Sequence, residues 1–596
     1  MDGRNPSPLV SLTPVEDGIR RQVAAERARL RREAGLPDVQ HFRRPVERPF
    51  LAQERENVTI LFGGLTSRHE ALIQAVFQGN GYRCERLPTP DTATCQLGRE
   101  YGNNGQCNPS YFTLGSLIQF LQRLRASGIS RQDIIDHYVF FTAGSCGPCR
   151  FGMYEAEYRY ALQNAGFDGF RILIFQQAAG IKAESGEPGL KFTVNFGMGM
   201  LNALHLGDVL NDLVYQVRPF EVRPGETDRV FEEAASDLYC FLRERTPFEF
   251  MEDAPAWLRR RVGPRTGLKN TLSVACKVYD HLYGKKYLEA LEHCRDRLNG
   301  IEVDRTIVKP VVKITGEFWA QTTEGDGNFQ MFRFLESEGA QVTVEPIATW
   351  VNYMLHLARL QTRSKSDALC PDFRWGEIHS WLSYQIQFRR RTMLFDLGEA
   401  LWTHLYHRLG RKLGGIAHPL VSQQELGRLA HPFLHQLARG GEGYMEVGKN
   451  IYYTSNRLCH MVLALKPFGC MPSSQSDGVQ SAVISRFRDM IFLPIETSGE
   501  GEVNAHSRVQ MALSDAKVKA RAEFETVLKS TGKRLDDIRD YVAAHPELRR
   551  PLYRFSRRPG VAGTAAQFVL HVSDLMDQSG KLWRMSHSTS IVRVSP

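Results

Sequence analysis

Apolar residues along this chain fall into short runs closed by glycine, separated by stretches of helical spacing. VTILFGG (Val58–Gly64) has the character of a buried strand entering a glycine turn. HEALIQAVFQGNG follows Ser67 with the spacing of an amphipathic helix and stops at Asn80-Gly81. GYRCERLP is then a second strand, so this region predicts a β-α-β start. A helix is expected after Asn108-Pro109 (SYFTLGSLIQFLQRLR). Strand HYVFFT, helix RFGMYEAEYRYALQNAGF and strand FRILIFQQ follow. Such alternation argues for a mostly parallel sheet.

The pattern returns downstream. VVKITGE (Val311–Glu317) is a strand ending in glycine, NFQMFRFLESEG a helix with a glycine stop, and AQVTVEP the next strand. MVLALK (Met461–Lys466) and MIFLPIE (Met490–Glu496) add two more. Residues 226–300 and 375–440 read as helical. The expected fold is α/β: two tandem Rossmann-like parallel-sheet lobes with helical insertions. The expected boundaries are a helical arm over 1–50, a first lobe over 51–225 and a helical region over 226–305. A second lobe over 306–515 carries its own helical insertion, and a C-terminal helix and basic tail occupy 516–596. Val15–Gly35 is Arg-rich, and reads as a solvated helix or a partner contact.

Composition leaves this picture intact. The chain has 596 residues, 42% of them hydrophobic and 24% charged, as in globular proteins, and its length implies two to four domains. No apolar run reaches membrane-spanning length, and MDGRNPSPLV lacks the apolar core of a secretion signal, so a cytoplasmic location is expected. Seventy-five basic and 66 acidic residues give a net charge of +9, mild for this length. That charge suits an anionic substrate or acidic partner without calling for nucleic acid.

Eleven cysteines in a reducing compartment point away from a disulfide framework. Three share a context: Cys107 in QCNPSYF, Cys146 in SCGPC and Cys470 in GCMPSS. Each is Cys-x-Pro ahead of an expected helix, and Cys370 in LCPDF is a near relative. Proline fixes the backbone at a helix start, where free N–H groups face negative charge and depress thiol pKa values. Strand carboxyl ends are also where doubly wound folds put their sites. Cys146-Gly-Pro-Cys149 admits several chemistries. A dithiol redox pair fits strand–CGPC–helix locally, but Ser145 stands where thioredoxins carry Trp. A zinc site would want a second CxxC or a nearby His, and neither is present at short spacing. Thiolates drawn from separate loops suit an iron–sulfur cluster.

At these residues the chain resembles a known family. CNPSYFTLGSLIQFL, CGPCRFGMYEAEYRYALQNAGF, ITGEFWAQTTEGDGNFQMFRFLESEGA, PFGCMPS and LPIETSGEGEVNAHSR occur in order over roughly residues 55–515. Together they resemble the benzoyl-CoA reductase / 2-hydroxyacyl-CoA dehydratase superfamily, in its acyl-CoA dehydratase activase-related branch, close to the double-cubane cluster proteins. The resemblance implies two Rossmann-like lobes holding a [4Fe-4S] or double-cubane [8Fe-9S] cluster. It also implies a separate ATP-hydrolysing iron–sulfur activase that supplies low-potential electrons, and reduction of a CoA thioester or another hard-to-reduce molecule. On it, Cys107, Cys146, Cys149 and Cys470 match the cysteine-bearing motifs, with Cys276, Cys370 and Cys95 as further candidates. Six thiolates would suit a double cubane and four a single cluster. The oligomer implied is a homo- or hetero-oligomer. No GxxxxGK[ST] is present, so ATP is expected only through the partner activase.

Other residues carry two readings each. Glu317 could orient a ligand or move a proton, or cap the turn at Phe318. FGMGMLNALHLGD offers a Gly-x-Gly for a phosphate or for helix packing. Arg150 offsets site charge or faces water. Of Glu155 and Glu157, one is expected packed and one solvated. His506 and Arg508 contact an anion or lie on a surface loop. Cys84, Cys240, Cys294 and Cys459 are expected as small buried hydrophobes. Competing with the reductase are an electron-relay or structural subunit and a thiol-disulfide oxidoreductase using CGPC.

Overall fold

A computed structural model describes residues 47–144, 149–176, 188–246, 266–369, 378–438 and 441–588, with scattered positions in 22–35 and 248–257. Residues 1–46 form a unit of their own, and 47–596 a second. In the first unit the described positions are mostly helical, and Arg29 bridges Glu26 and Glu33 at 2.6 and 2.7 Å. Cys146, with the rest of 145–148, and Cys370 lie outside the described residues, as does most of the Arg-rich arm.

The second unit opens with β1 (Thr59–Phe62), α1 (Ser67–Gly79), β2 (Arg83–Arg86), α2 (Thr92–Tyr101), α3 (Asn108–Ala126), α4 (Arg131–His137), β3 (Tyr138–Gly144), α5 (Tyr154–Asn164) and β4 (Arg171–Gln176). A helical layer follows: α6 (Val194–Val217), α7 (Glu226–Glu244), α8 (Thr266–Tyr283) and α9 (Lys285–Leu298). The second lobe comprises β5 (Val311–Gly316), α10 (Phe318–Thr322), α11 (Met331–Ser337), β6 (Gln341–Thr343), α12 (Ile347–Leu369), α13 (Ile378–Lys412), α14 (Gln423–Ala430), α15 (Gly443–Ser455), β7 (Met461–Pro467), α16 (Met471–Arg486) and β8 (Phe492–Thr497). Helices α17 (Glu502–Thr531), α18 (Leu535–Ala544) and α19 (Thr564–Ser588) close the chain. Among the described residues no helix is long and apolar enough to cross a membrane.

Both sheets are four-stranded and all-parallel, ordered β2-β1-β3-β4 and β6-β5-β7-β8. The two orders are the same, so the lobes are topological repeats consistent with two Rossmann-like units. Alternation along each strand divides the core between two faces. Ile60 and Phe62 pack with α6 and α7, while Leu61, Phe140 and Ile172 pack with α3 and α5. In the second lobe Val312, Ile314, Leu463 and Leu465 face α11 and α17, and Val311 and Val462 face α14 and α15. The last helices build a separate cluster around Phe524, Ile538, Phe568 and Val569, so the C-terminal region through Val572 is packed.

Gly197 and Gly199 lie inside α6, where a Cβ at Gly199 would come 2.9 Å from Val76. Gly199 therefore serves helix packing on α1, whereas a Cβ at Gly197 would meet nothing within 4 Å. The phosphate position at the first βα turn is filled from within: Glu70, 8% exposed, accepts from the backbone N–H of Gly64 (2.8 Å) and Leu65 (3.0 Å). Burial raises its pKa to about 7.

Asp208 of α6 ties the lobes together. It is 3% exposed, and accepts from the backbone N–H of Ile347 (2.7 Å) and Ala348 (2.8 Å) at the start of α12. His69 Nε2 of α1 lies 3.1 Å from its Oδ1. Charged groups missing their buried partners are costly, so Asp208→Ala is expected to destabilise the fold by about 3–5 kcal/mol. Asp208→Asn, which keeps an acceptor oxygen, should cost less. Guanidinium titration of both variants measures the difference.

Candidate functional site

Two cysteine motifs occupy matching places in the repeat: CGPC follows β3, and GCMP follows β7. Each third strand delivers its cysteine loop to the carboxyl edge of its sheet. Cys107, Cys149 and Cys470 all adopt extended backbone at the residue before a helical turn: α3, the 3-10 turn Arg150–Met153 ahead of α5, and α16. Pro109 and Pro472 lie in the first turns that follow Cys107 and Cys470. This is the geometry that Cys-x-Pro predicts, because proline tolerates the first turn and lacks the N–H that would be idle there.

The three loops meet. Asn108 donates its backbone N–H to Phe468 O at 3.0 Å, joining the CNP and GCMP loops directly. Gly469, at φ +73, is where they touch: a Cβ there would stand 3.4 Å from Cys107 Cα and 3.3 Å from Arg150 Nη1. Arg150 in turn donates to Gly105 O, linking the third loop to the first. Glu157, buried on α5, accepts from Asn103 Nδ2 (2.7 Å) and Gln106 Nε2 (3.0 Å) and so fixes the approach to Cys107. Glu155 is only partly exposed and pairs with Arg159.

Cys107 and Cys470 are 6% and 8% exposed, and Cys149 is half-buried. Cys107 Sγ lies 3.0 Å from the Tyr154 hydroxyl. Burial pushes all three thiol pKa values up, that of Cys149 to about 12, and the Glu317 carboxyl raises them further. Glu442 also bears on Cys149 and Cys470. Glu317 caps α10, accepting from Ala320 N at 3.0 Å, as its capping reading predicts, and its carboxyl bears electrostatically on Cys107. Burial first and the Glu442 charge second lift Glu317 to about 8. Burial likewise raises Glu442, which accepts from Phe318 N at 3.2 Å. Three thiols and two carboxyl groups thus share a crevice in which burial raises the pKa of each, with Arg150 as the cation linking its loops.

Glu442, Tyr154 and Tyr353 were not anticipated from sequence. Tyr353 donates to Gly441 O at 2.8 Å, in the loop before Glu442. A signal for Glu442 did exist in GGEG: Gly441 has φ +107, and a Cβ there would strike Pro472 Cγ at 2.4 Å. Glycine is required because that loop lies against the start of α16.

The remaining candidates divide. Cys95, buried on α2 beside Phe112 and Trp319, points its thiol at Asn108 Oδ1 (4.0 Å), one residue from Cys107. Cys276 is on α8, whose contacts are with α6 and α9. Cys84, Cys294 and Cys459 are buried as expected, but Cys240 is exposed, because it falls on the solvent side of amphipathic α7. His506 and Arg508 belong to α17 and not to a loop. His506 stacks on Phe334 at 3.8 Å and meets Phe329 O at 2.9 Å, and Arg508 donates to Pro494 O.

Among the described residues no three His, Cys, Asp or Glu side chains are grouped so as to hold a single metal ion, and Cys146 is not among those residues. The donor chemistry still fits a sulfur-ligated cluster: thiols at three helix starts, and Asn108 Nδ2 buried beside Cys107 without a hydrogen-bond partner among the described residues. An open groove of about 790 Å³ lies between the lobes, lined by Arg68, Arg86, Tyr215, Glu324 and Arg333. Five-residue α10 separates it from the thiols, with Glu317 at one end and Thr323–Glu324 at the other. No protein-family model matches the chain, and no curated protein matches it.

The raised Glu317 pKa has a consequence for the metal-free protein. Its ionisation is disfavoured on folding, so wild-type stability should fall relative to Glu317→Gln as pH rises from about 4.5 to about 8, with no further change above. Thermal midpoints of both proteins between pH 4 and 9 test this. A pH-independent difference would contradict it.

Proposed function

We propose that this chain is an iron–sulfur reductase component that receives low-potential electrons from an ATP-hydrolysing activase and passes them to a CoA thioester or another small, hard-to-reduce substrate. The carrying observation is the convergence of the loops that bear Cys107, Cys149 and Cys470, each at a helix start, with Cys107 and Cys470 buried. Cys146 is the fourth ligand on this reading, and Cys95, next to Asn108, is nearer the crevice loops than Cys276. The cluster, when bound, would supply one-electron chemistry at low potential.

The chain's own residues have definable tasks. On binding a positive iron core the cysteine thiols would release their protons and ligate as thiolates, which reverses the effect of burial on them. The backbone N–H groups of Ser110, Phe151 and Ser473 face the three sulfurs, and Asn108 Nδ2, without a partner among the described residues, would donate to cluster sulfur. Tyr154 holds Cys107 in place through the 3.0 Å contact. Glu317, with a pKa of about 8, carries a proton at neutral pH and can deliver it within the crevice. The inter-lobe groove would be the substrate approach; its lining mixes arginines with Asp228, Glu232 and Glu324, and Arg333 pairs with Asp228 at 2.8 Å. Burial of Cys107 and Cys470 also favours a second reading, an electron relay without a substrate of its own.

Anaerobic purification with iron and sulfide analysis and EPR is the first test. Cys107→Ser and Cys470→Ser are expected to lose most of the iron, and Cys276→Ser to keep it. A colourless protein with less than about one iron per chain would sink the proposal. Retention of iron by Cys107→Ser together with Cys470→Ser would do the same. Cys146→Ser should also lose iron; dithiol chemistry alone predicts no such effect. With iron present, an activase, ATP and a reductant should produce turnover on acyl-CoA thioesters; electron transfer without turnover selects the relay.

A further inference from the structure

The second lobe contains a buried ammonium group with no task in the crevice described above. Lys449 of α15 is 3% exposed, and makes no hydrogen bond and no ion pair among the described residues. It lines a cavity of about 20 Å³ together with Glu442, Gln321 and Trp350. Two further polar atoms of these residues are buried without a hydrogen-bond partner among the described residues: Trp350 Nε1, a donor, and Gln321 Oε1, an acceptor. The Gln321 amide is oriented by its Nε2, which donates to Gly316 O at 2.7 Å. Phe318 and Trp350 are half-buried, with ring centroids 5.0 Å apart, and both line the cavity.

The kind of group and the size of the space select the occupant. Two donors, the Lys449 ammonium and the Trp350 N–H, stand with two acceptors, the Gln321 carbonyl and the Glu442 carboxyl. Water both gives and takes hydrogen bonds and suits all four. An anion would face the carboxyl groups of Glu345 and Glu442, and a metal cation would face Lys449. Pockets for organic ligands begin near ~300 Å³, whereas this space fits roughly one or two waters.

Charge pairs Lys449 with Glu442. Burial lowers the pKa of Lys449 and raises that of Glu442, while each group's charge favours the ionised form of the other. Burial thus brings acid and base toward one another, the condition for sharing a proton. Glu345, Lys313 and Glu446 also act on Lys449. Of these, Glu345 is engaged by Lys313 at 2.6 Å and Glu446 by Lys466 at 2.9 Å. On its other side Glu442 meets the fields of Glu317, Tyr353, Cys149 and Cys470, and it accepts from the N–H of Phe318, the residue after Glu317.

We propose that this cavity holds water joining Lys449 to Glu442, and that the pair restores the proton Glu317 gives up in the crevice. The destination of the proton rests on the proposed function; the water-joined pair does not. For each electron arriving from the low-potential donor, Glu317 loses its carboxyl proton to the reduced substrate. Glu442 passes its own proton to Glu317. Water then gives a proton to Glu442 as it takes one from Lys449, and solvent reprotonates Lys449 past the half-buried rings. The net uptake is one proton per electron.

In the metal-free full chain, the infrared carbonyl band that Glu442→Gln abolishes reports the protonated Glu442 carboxyl. Its disappearance with rising pH should have a midpoint higher by about one pH unit or more in Lys449→Met, because the cation favouring ionisation is gone. An unchanged midpoint overturns the proposal, with or without iron. Should Lys449→Met fail to fold, a crystal structure of the wild type decides: water within hydrogen-bond distance of Trp350 Nε1 and Gln321 Oε1 supports the proposal, and a dry cavity overturns it. In the iron-loaded chain with activase, ATP and substrate, Lys449→Met should keep the iron content, the EPR spectrum and the rate of the first electron transfer. Turnover should fall by about 10², with a larger solvent deuterium isotope effect. Unchanged turnover overturns the relay. A wild type without iron sinks the proposed function and the destination of the proton with it, while the infrared midpoints still decide the pair.

Discussion

A carboxylate buried between two lobes is stable only if its neighbours supply enough hydrogen bonds, and Asp208 sits under that constraint. Its donors come from α1 of the first lobe and from the first turn of α12 in the second. Neither lobe satisfies it alone. The charge therefore specifies how the lobes approach, because displacement would strand an ionised group in the core. The Asn108–Phe468 backbone bond and the Gly469 contact lie in the frame that this approach creates.

Within that frame, the crevice collects acidic groups around the Arg150 cation. Burial raises the pKa of five groups that could carry negative charge, and their neighbours' charges raise it further. Such a site stores an affinity for positive charge, released when protons are exchanged for it. The same burial makes the thiols poor nucleophiles, because the thiolate form is disfavoured.

Much of the fold was legible because its signals are local. Strand runs closed by glycine, helical spacing between them, and Cys-x-Pro at helix starts depend on neighbouring residues, and the two parallel sheets follow from their alternation. Gly199 was ambiguous locally, and the decision came from Val76 on another helix. Glu442 and Tyr154 were not legible as site residues, since their relevance lies in contacts with cysteines tens to hundreds of positions away. Cys240 departs from expectation because cysteine type alone does not reveal which side of α7 faces water. For His506 and Arg508 neither an anion contact nor a surface loop anticipates the helix, because the glycines of SGEGE just before them obscure the start of α17.

The repeated strand order has one further effect. Cys107 stands at the N-cap position of α3, two helices before the third strand of the first lobe; Glu442 stands at that position of α15, directly before the third strand of the second. Cys149 and Cys470 follow those third strands, one in each lobe. Where duplication would give a symmetric cup, both walls bring sulfur, but the second alone adds the carboxyl groups of Glu442 and Glu317. Whatever enters the crevice therefore meets a surface with a direction, a polarity that a frame of two like halves would otherwise lack.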